Sequence, residues 1–273
     1  FRVAINSRGA RGEAEVPYEK GEALRIVVLG DSFAFGEDVD DDQTFPFHLG
    51  ALMGEGTEVV NLGVHGYGTD QMALMLLEEG CRYSPDIVVV TVFYHDILRC
   101  RSDYYVHAKP FYRLVDGALE LMNVPVPGRP EPLGLLDGNC FTWAFIGERL
   151  SRKSQMKSIE NLGTFDRAEL WRIQTGLFRM MKDLCGERTR VVVVSIADPG
   201  DLEAEWFLKF DRDFGRLIRE EAGIGGFIST LEPLKEAYRD HGAAIHTANS
   251  HLSPLGNRIV AGLIRDHIEG PSF

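Results

Sequence analysis

Positive charge is in short supply in this sequence. Against 41 Asp and Glu it carries 29 Lys and Arg, a formal net charge of -12 at pH 7. Binding nucleic acid takes clustered Lys and Arg rather than an acidic surplus, so nucleic acid is excluded as an expected partner. Long apolar runs are missing too, and no stretch reaches the about 18 residues expected of a membrane-spanning helix. Cysteine is sparse: Cys81, Cys100, Cys140 and Cys185 form no CxxC pair and show no zinc-ligand spacing, so buried or idle thiols are expected. The glycine-rich stretch Gly63-Val64-His65-Gly66-Tyr67-Gly68 spells neither GxGxxG nor a phosphate-binding P-loop, and no Lys follows it. No nucleotide cofactor is expected, and none of any other kind.

What remains is an ordinary globular composition, 44% hydrophobic and 26% charged, which rules out disorder for the bulk of the chain. Its 273 residues fit a single α/β domain that carries an insertion. Arg25–Leu29, Glu58–Leu62, Asp86–Phe93 and Arg190–Ile196 are short runs rich in β-branched residues, each read as a buried strand. Helical spacing of apolar residues marks Phe45–Met53, Gln71–Cys81 and Leu170–Leu184. The alternation predicts a flavodoxin-like, three-layer α/β/α sandwich around about five parallel strands in the order 2-1-3-4-5. Ala243–His246 is read as the last short strand, and Pro254–Ile268 as a closing helix with Pro in its first turn.

Residues 1–24 precede the first strand, and Phe1–Pro17 is expected to run extended over the core. Residues 100–161 break the alternation with Pro, Gly and aromatics, and are read as a lid or substrate wall. The acidic run Glu37, Asp38, Asp40, Asp41 and Asp42 is read as a solvated loop. The sequence opens at Phe1 rather than Met, as a piece of a longer protein would, and it assigns neither a compartment nor an oligomeric state.

In an open parallel sheet, ligands bind beyond the carboxyl ends of the strands. The residues at those ends are Gly30-Asp31-Ser32, Asn61-Leu62-Gly63, Tyr94-His95-Asp96 and Asp198, with Asn249-Ser250-His251 before the last helix. A serine hydroxyl becomes a nucleophile when an imidazole takes its proton, and the resulting oxyanion needs preorganised donors. Gly30-Asp31-Ser32 after an apolar strand resembles the first block of the SGNH/GDSL hydrolases. Asn61-Leu62-Gly63 resembles the second block and His251-Leu252-Ser253-Pro254 the last, in the same order over nearly the whole chain.

That resemblance implies an ester hydrolase acting on a small-molecule or carbohydrate ester. Ser32 is the implied nucleophile, His251 the base, and the Ser32 and Gly63 N–H groups the implied oxyanion donors. The sequence departs from the pattern twice. His95 stands where the third block has Asn, and a neutral imidazole still offers one N–H there. Asn249 and Ala248 stand where the last block has the acid that orients the histidine. Asn249 can accept from the ring but carries no charge, and Asp198 is the alternative acid by topology.

Asp31 and Asp96 are read as local hydrogen-bonding braces, and His65 as a residue of the cleft wall. His48, His107, His241, His246 and His267 are read as surface or structural. His65, His95 and His251 share no short ligand spacing, so no metal is expected. Two other readings stay open: a binding domain that kept the fold after losing its acid, and an O-acyltransferase that uses the same site on an alcohol.

Overall fold

A computed structural model describes residues 1–105, 107–127, 167–184 and 186–271. The first half contains β1 (Leu24–Leu29), α1 (Ser32–Phe35), α2 (Phe45–Met53), β2 (Thr57–Asn61), α3 (Thr69–Glu78), β3 (Ile87–Phe93) and α4 (Tyr94–Arg99). Short strands β4 (Tyr104–Tyr105), β5 (His107–Ala108), β6 (Phe111–Val115) and β7 (Ala118–Met122) follow. The second half holds α5 (Arg167–Leu184), β8 (Arg190–Ile196), α6 (Glu205–Arg216), β9 (Gly226–Ser229), α7 (Leu231–His241) and α8 (Pro254–Glu269).

The main sheet is parallel, with the order β2-β1-β3-β8-β9. This is the expected 2-1-3-4-5 arrangement. Every residue of β3 is buried, as its unbroken Ile-Val-Val-Val-Thr-Val-Phe run requires for a strand covered on both faces. Helix α2 packs on α8 and α3 on α5, giving the outer layers of an α/β/α sandwich. The winding reverses between β1 and β3, so the crevice beyond their carboxyl ends is the topological switch point of the sheet. Val28 lies level with Asn61 and Val89, which brings the loops after β1, β2 and β3 out together.

The fifth strand is β9, not Ala243–His246. Ala243 and Ala244 are exposed in a 3₁₀ turn, and His246 makes only a single bridge to Leu252. The strand beside β8 is β9, and the 3₁₀ turn of Gly242–Ile245 makes no ladder with it. The sequence reading also passed over α6 and α7. Phe207, Phe210 and Phe214 form the buried stripe of α6 at helical spacing.

The segment after α4 begins with two small antiparallel hairpins, β4-β5 and β6-β7. Most of the expected lid, including Cys140 and its end at Asn161, lies outside the described residues, as does Cys185. Cys100 is buried, its thiol donating to Ile97 O at 2.9 Å. The N-terminal segment is locked down: the Arg11 N–H donates to Asn61 O at 2.9 Å, and the Arg11 side chain is buried.

Candidate active site

Ser32 is the first residue of α1, immediately beyond β1. Asp31 caps the helix by accepting from Phe33 N at 3.0 Å. At a first helical position the Ser32 N–H has no acceptor within the helix. The Ser32 hydroxyl lies 2.8 Å from His251 Nε2, a contact between residues 219 apart in the chain.

His251 is presented by a tight loop before α8. Thr247 N donates to His251 O at 2.7 Å, and two residues later Ser253 caps α8 by accepting from Gly256 N. Buried Asn257 accepts from Phe45 N at 2.8 Å and donates to Leu252 O at 2.9 Å, which ties the start of α8 to the start of α2.

Asn249, expected at the histidine ring, is placed elsewhere. Its amide donates to Asp38 Oδ1 at 3.1 Å and Oδ2 at 2.9 Å. The carboxylate beside the ring is that of Asp38, whose Oδ2 lies 3.8 Å from His251 Nδ1. Sequence reasoning missed Asp38, having assigned the whole acidic run to solvent. In the structure only Asp42 of that run is exposed. The buried Arg11 guanidinium draws the loop inward, donating to Phe35 O, Gly36 O and Val39 O at 2.6 to 2.8 Å and pairing with Asp41 at 2.9 Å. Nothing local in the sequence joins Arg11 to this loop.

Gly63 is a second correction. Its N–H donates to Asn61 Oδ1 at 2.9 Å, and a Cβ on Gly63 would sit 2.4 Å from Phe35 N. It lets the β2 loop pack against α1, while Asn61 braces the same helix by donating to Ala34 O at 2.9 Å. The glycine of this loop that lines the cleft is Gly66, at φ +71°.

The cleft has a volume of about 790 Å³ and gathers Ser32, His65, Gly66, His95, Asp198 and His251 along its wall. Tyr105 and His107, from the β4-β5 hairpin, also line it. Burial, with the Arg99 charge second, holds the His95 pKa below its ordinary value. Its imidazole is therefore neutral near pH 7, with one N–H to donate.

His65 Nε2 sits 2.6 Å from Glu37 Oε2. Asp198 closes its own turn by accepting from Gly200 N at 2.7 Å and Asp201 N at 3.1 Å, and no contact joins it to His251. Of the remaining histidines, His241 and His107 are exposed, His48 and His267 are half-buried, and His246 is buried.

Arg99 joins these loops from below. Its Nη1 donates to Asp31 Oδ2 at 3.1 Å, to Asp96 Oδ1 at 2.5 Å and to Tyr67 O at 3.4 Å, and its guanidinium stacks on Tyr105. Asp31 and Asp96 have essentially no exposed surface. Burial, and then the nearby Asp31 charge, push the Asp96 pKa well above the carboxylate range.

Solved structures of similar fold carry the same layers over most of their length. TesA matches at 13% identity and a TM-score of 0.54, over 91% of this chain and 99% of that one. A catalytic variant of Axe2, an acetylxylan esterase from Geobacillus stearothermophilus, matches at 14% identity and 0.53, over 93% and 97%. A lipolytic protein of the G-D-S-L family from Veillonella parvula matches at 13% and 0.52, over 88% and 95%. The chain has the SGNH/GDSL hydrolase fold. No protein-family model matches the sequence, and no curated protein does. Within the SGNH/GDSL fold, the cleft at the switch point is where Ser32 and His251 meet.

Replacing Arg99 by Met strands two buried carboxylates. Breaking a buried pair by removing one partner costs about 3–5 kcal/mol, and that loss is expected in urea unfolding of Arg99→Met. Protonation relieves the repulsion. A carboxyl whose folded-state pKa is raised contributes stability at low pH and loses it as pH rises, so the deficit should be larger at pH 8 than at pH 5. A loss below about 1 kcal/mol at both pH values would contradict the clamp.

Proposed function

We propose that this protein is a serine ester hydrolase working through an acyl-Ser32 intermediate. The observation that carries the reading is the 2.8 Å contact between the Ser32 hydroxyl and His251 Nε2 in the wall of an open cleft. A hydroxyl so placed passes its proton to the imidazole as its oxygen attacks an ester carbonyl. The resulting oxyanion is received by the Ser32 N–H, by the Gly66 N–H in place of Gly63, and by the neutral His95 ring. As the intermediate collapses, His251 returns the proton to the departing alcohol oxygen. Water, deprotonated by the same ring, then attacks the acyl-Ser32 carbonyl and releases the acid.

A carbohydrate O-acyl group is the substrate class that fits best. The cleft wall is rich in polar and aromatic side chains such as Tyr67, His95, Tyr105 and His107, which suit a hydroxylated leaving group. The acetylxylan esterase is among the solved structures of like fold. Transfer of the acyl group to a second alcohol needs no other residues; only the acceptor changes.

Ser32→Ala should remove hydrolysis of p-nitrophenyl acetate by several orders of magnitude while the circular dichroism spectrum and Tm stay unchanged. Full turnover in that variant would exclude the serine mechanism.

If His95 is an oxyanion donor, His95→Ala should lower kcat roughly 100-fold with little change in KM, and His95→Asn should regain part of it. A change confined to KM would assign His95 to substrate binding instead.

A further inference from the structure

We propose that Asp38 is the positioning carboxylate of this site: it acts on the back of the His251 ring from the loop after α1, and Asn249 serves to hold it there. The inference rests on the hydrolase reading for its kinetic consequence, but its geometry stands apart from that reading.

His251 uses Nε2 for the Ser32 hydroxyl, which leaves Nδ1 as the only atom through which a second group can set the tautomer. Among the described residues Nδ1 is buried and has no hydrogen-bond partner. The carboxylate oxygen facing it is Asp38 Oδ2, at 3.8 Å. That distance is an ion-pair contact rather than a hydrogen bond. Closing it by about 1 Å completes the bond, and hydrogen bonds of this kind are often long before substrate binds.

The Asp38 carboxylate is held from its other sides. Thr247 Oγ donates to Oδ2 at 2.8 Å and Asn249 Nδ2 reaches both oxygens, so its remaining free direction is toward the ring. Both donors lie on the loop that carries His251. The acid and the base are thus fastened to each other even though 213 positions separate Asp38 from His251 in numbering (251 − 38).

The backbone supports the assignment. Asp38 sits at φ +62°, a region that costs most side chains energy and that Asp and Asn tolerate best. The loop is pinned on both flanks by the Arg11 guanidinium, through Gly36 O and Val39 O. A carboxylate kept half-buried in a strained conformation, two donors upon it and a cation fixing its loop, is placed rather than solvated. Asn249 cannot supply charge, and its two-oxygen grip on Asp38 gives it a different task.

Asp38→Asn tests the charge alone, because Asn keeps the size, the tolerance for positive φ and an acceptor for Thr247. The first readout needs no turnover. In 15N-histidine spectra at pH 8, His251 should carry its proton on Nδ1 in the parent protein and move to the Nε2–H tautomer in Asp38→Asn. The second readout is kinetic: kcat on p-nitrophenyl acetate should fall at least 100-fold, and up to the roughly 10⁴-fold seen when a protease triad Asp becomes Asn, with KM within about twofold. Asn249→Ala should cost about tenfold in kcat, and nothing further in the Asp38→Asn background, since it acts through the carboxylate.

An unchanged tautomer in Asp38→Asn, or additive losses in the double variant, would overturn the role of Asp38. If Ser32-dependent turnover is absent from the parent protein while the tautomer still shifts, the hydrolase reading fails and the Asp38–His251 contact stands.

Discussion

Two carboxylates, Asp31 and Asp96, are sealed at the carboxyl ends of neighbouring strands β1 and β3, and the Arg99 guanidinium between them is what makes that burial tolerable. An unpaired charge in such a place costs several kcal/mol, whereas the shared guanidinium offsets carboxylate charge there, burial and the Asp31 charge favour a proton on Asp96, and both groups are oriented together. The consequence is geometric. Asp31 precedes Ser32 and Asp96 follows His95, so one cation ties together the two strand ends that bring Ser32 and His95 to the same cleft. The same guanidinium reaches Tyr67 O in the β2 loop and stacks on Tyr105 in the first hairpin, so four segments of the cleft wall share one anchor.

A second buried guanidinium, Arg11, does for the other side of the cleft what Arg99 does for the floor. It pulls the loop after α1 inward, and that loop carries Asp38 toward His251. The N-terminal segment is thereby part of the support of the site. Asn257 extends the same logic, since one buried amide couples the helix behind His251 to α2. Residues with no contact to a substrate thus decide whether the Ser32 and His251 side chains meet.

Much of this was legible in the sequence, and the limits have physical reasons. The four apolar runs became strands because a strand buried on both faces must be apolar throughout, and β3 and β8 show it plainly. β9 was missed because it has four residues and opens on glycine, which leaves no periodicity to read. Ser32 and His251 could be found because each lies at a strand end or helix start with a recognisable local pattern. Asp38 could not. Its environment depends on Arg11, Thr247 and Asn249, and acidic residues in a row look alike until tertiary contacts separate them. Gly63 misled for the converse reason: its neighbours in sequence suit an oxyanion donor, but its N–H is committed to Asn61 and its missing side chain to close packing on α1.

The central claim is that Ser32 is an activated nucleophile, and covalent trapping measures it without knowledge of the substrate. In an alkyl fluorophosphonate incubated with the protein, the phosphorus should be attacked by the Ser32 oxygen, which passes its proton to His251, expels fluoride to solvent and is left as a phosphonyl ester. Intact-mass analysis should show one adduct per chain, peptide mapping should place it on Ser32, and the adduct should be absent from Ser32→Ala. A chain that stays unmodified at concentrations that label an ordinary serine esterase to completion, or one labelled equally well as Ser32→Ala, would contradict the account.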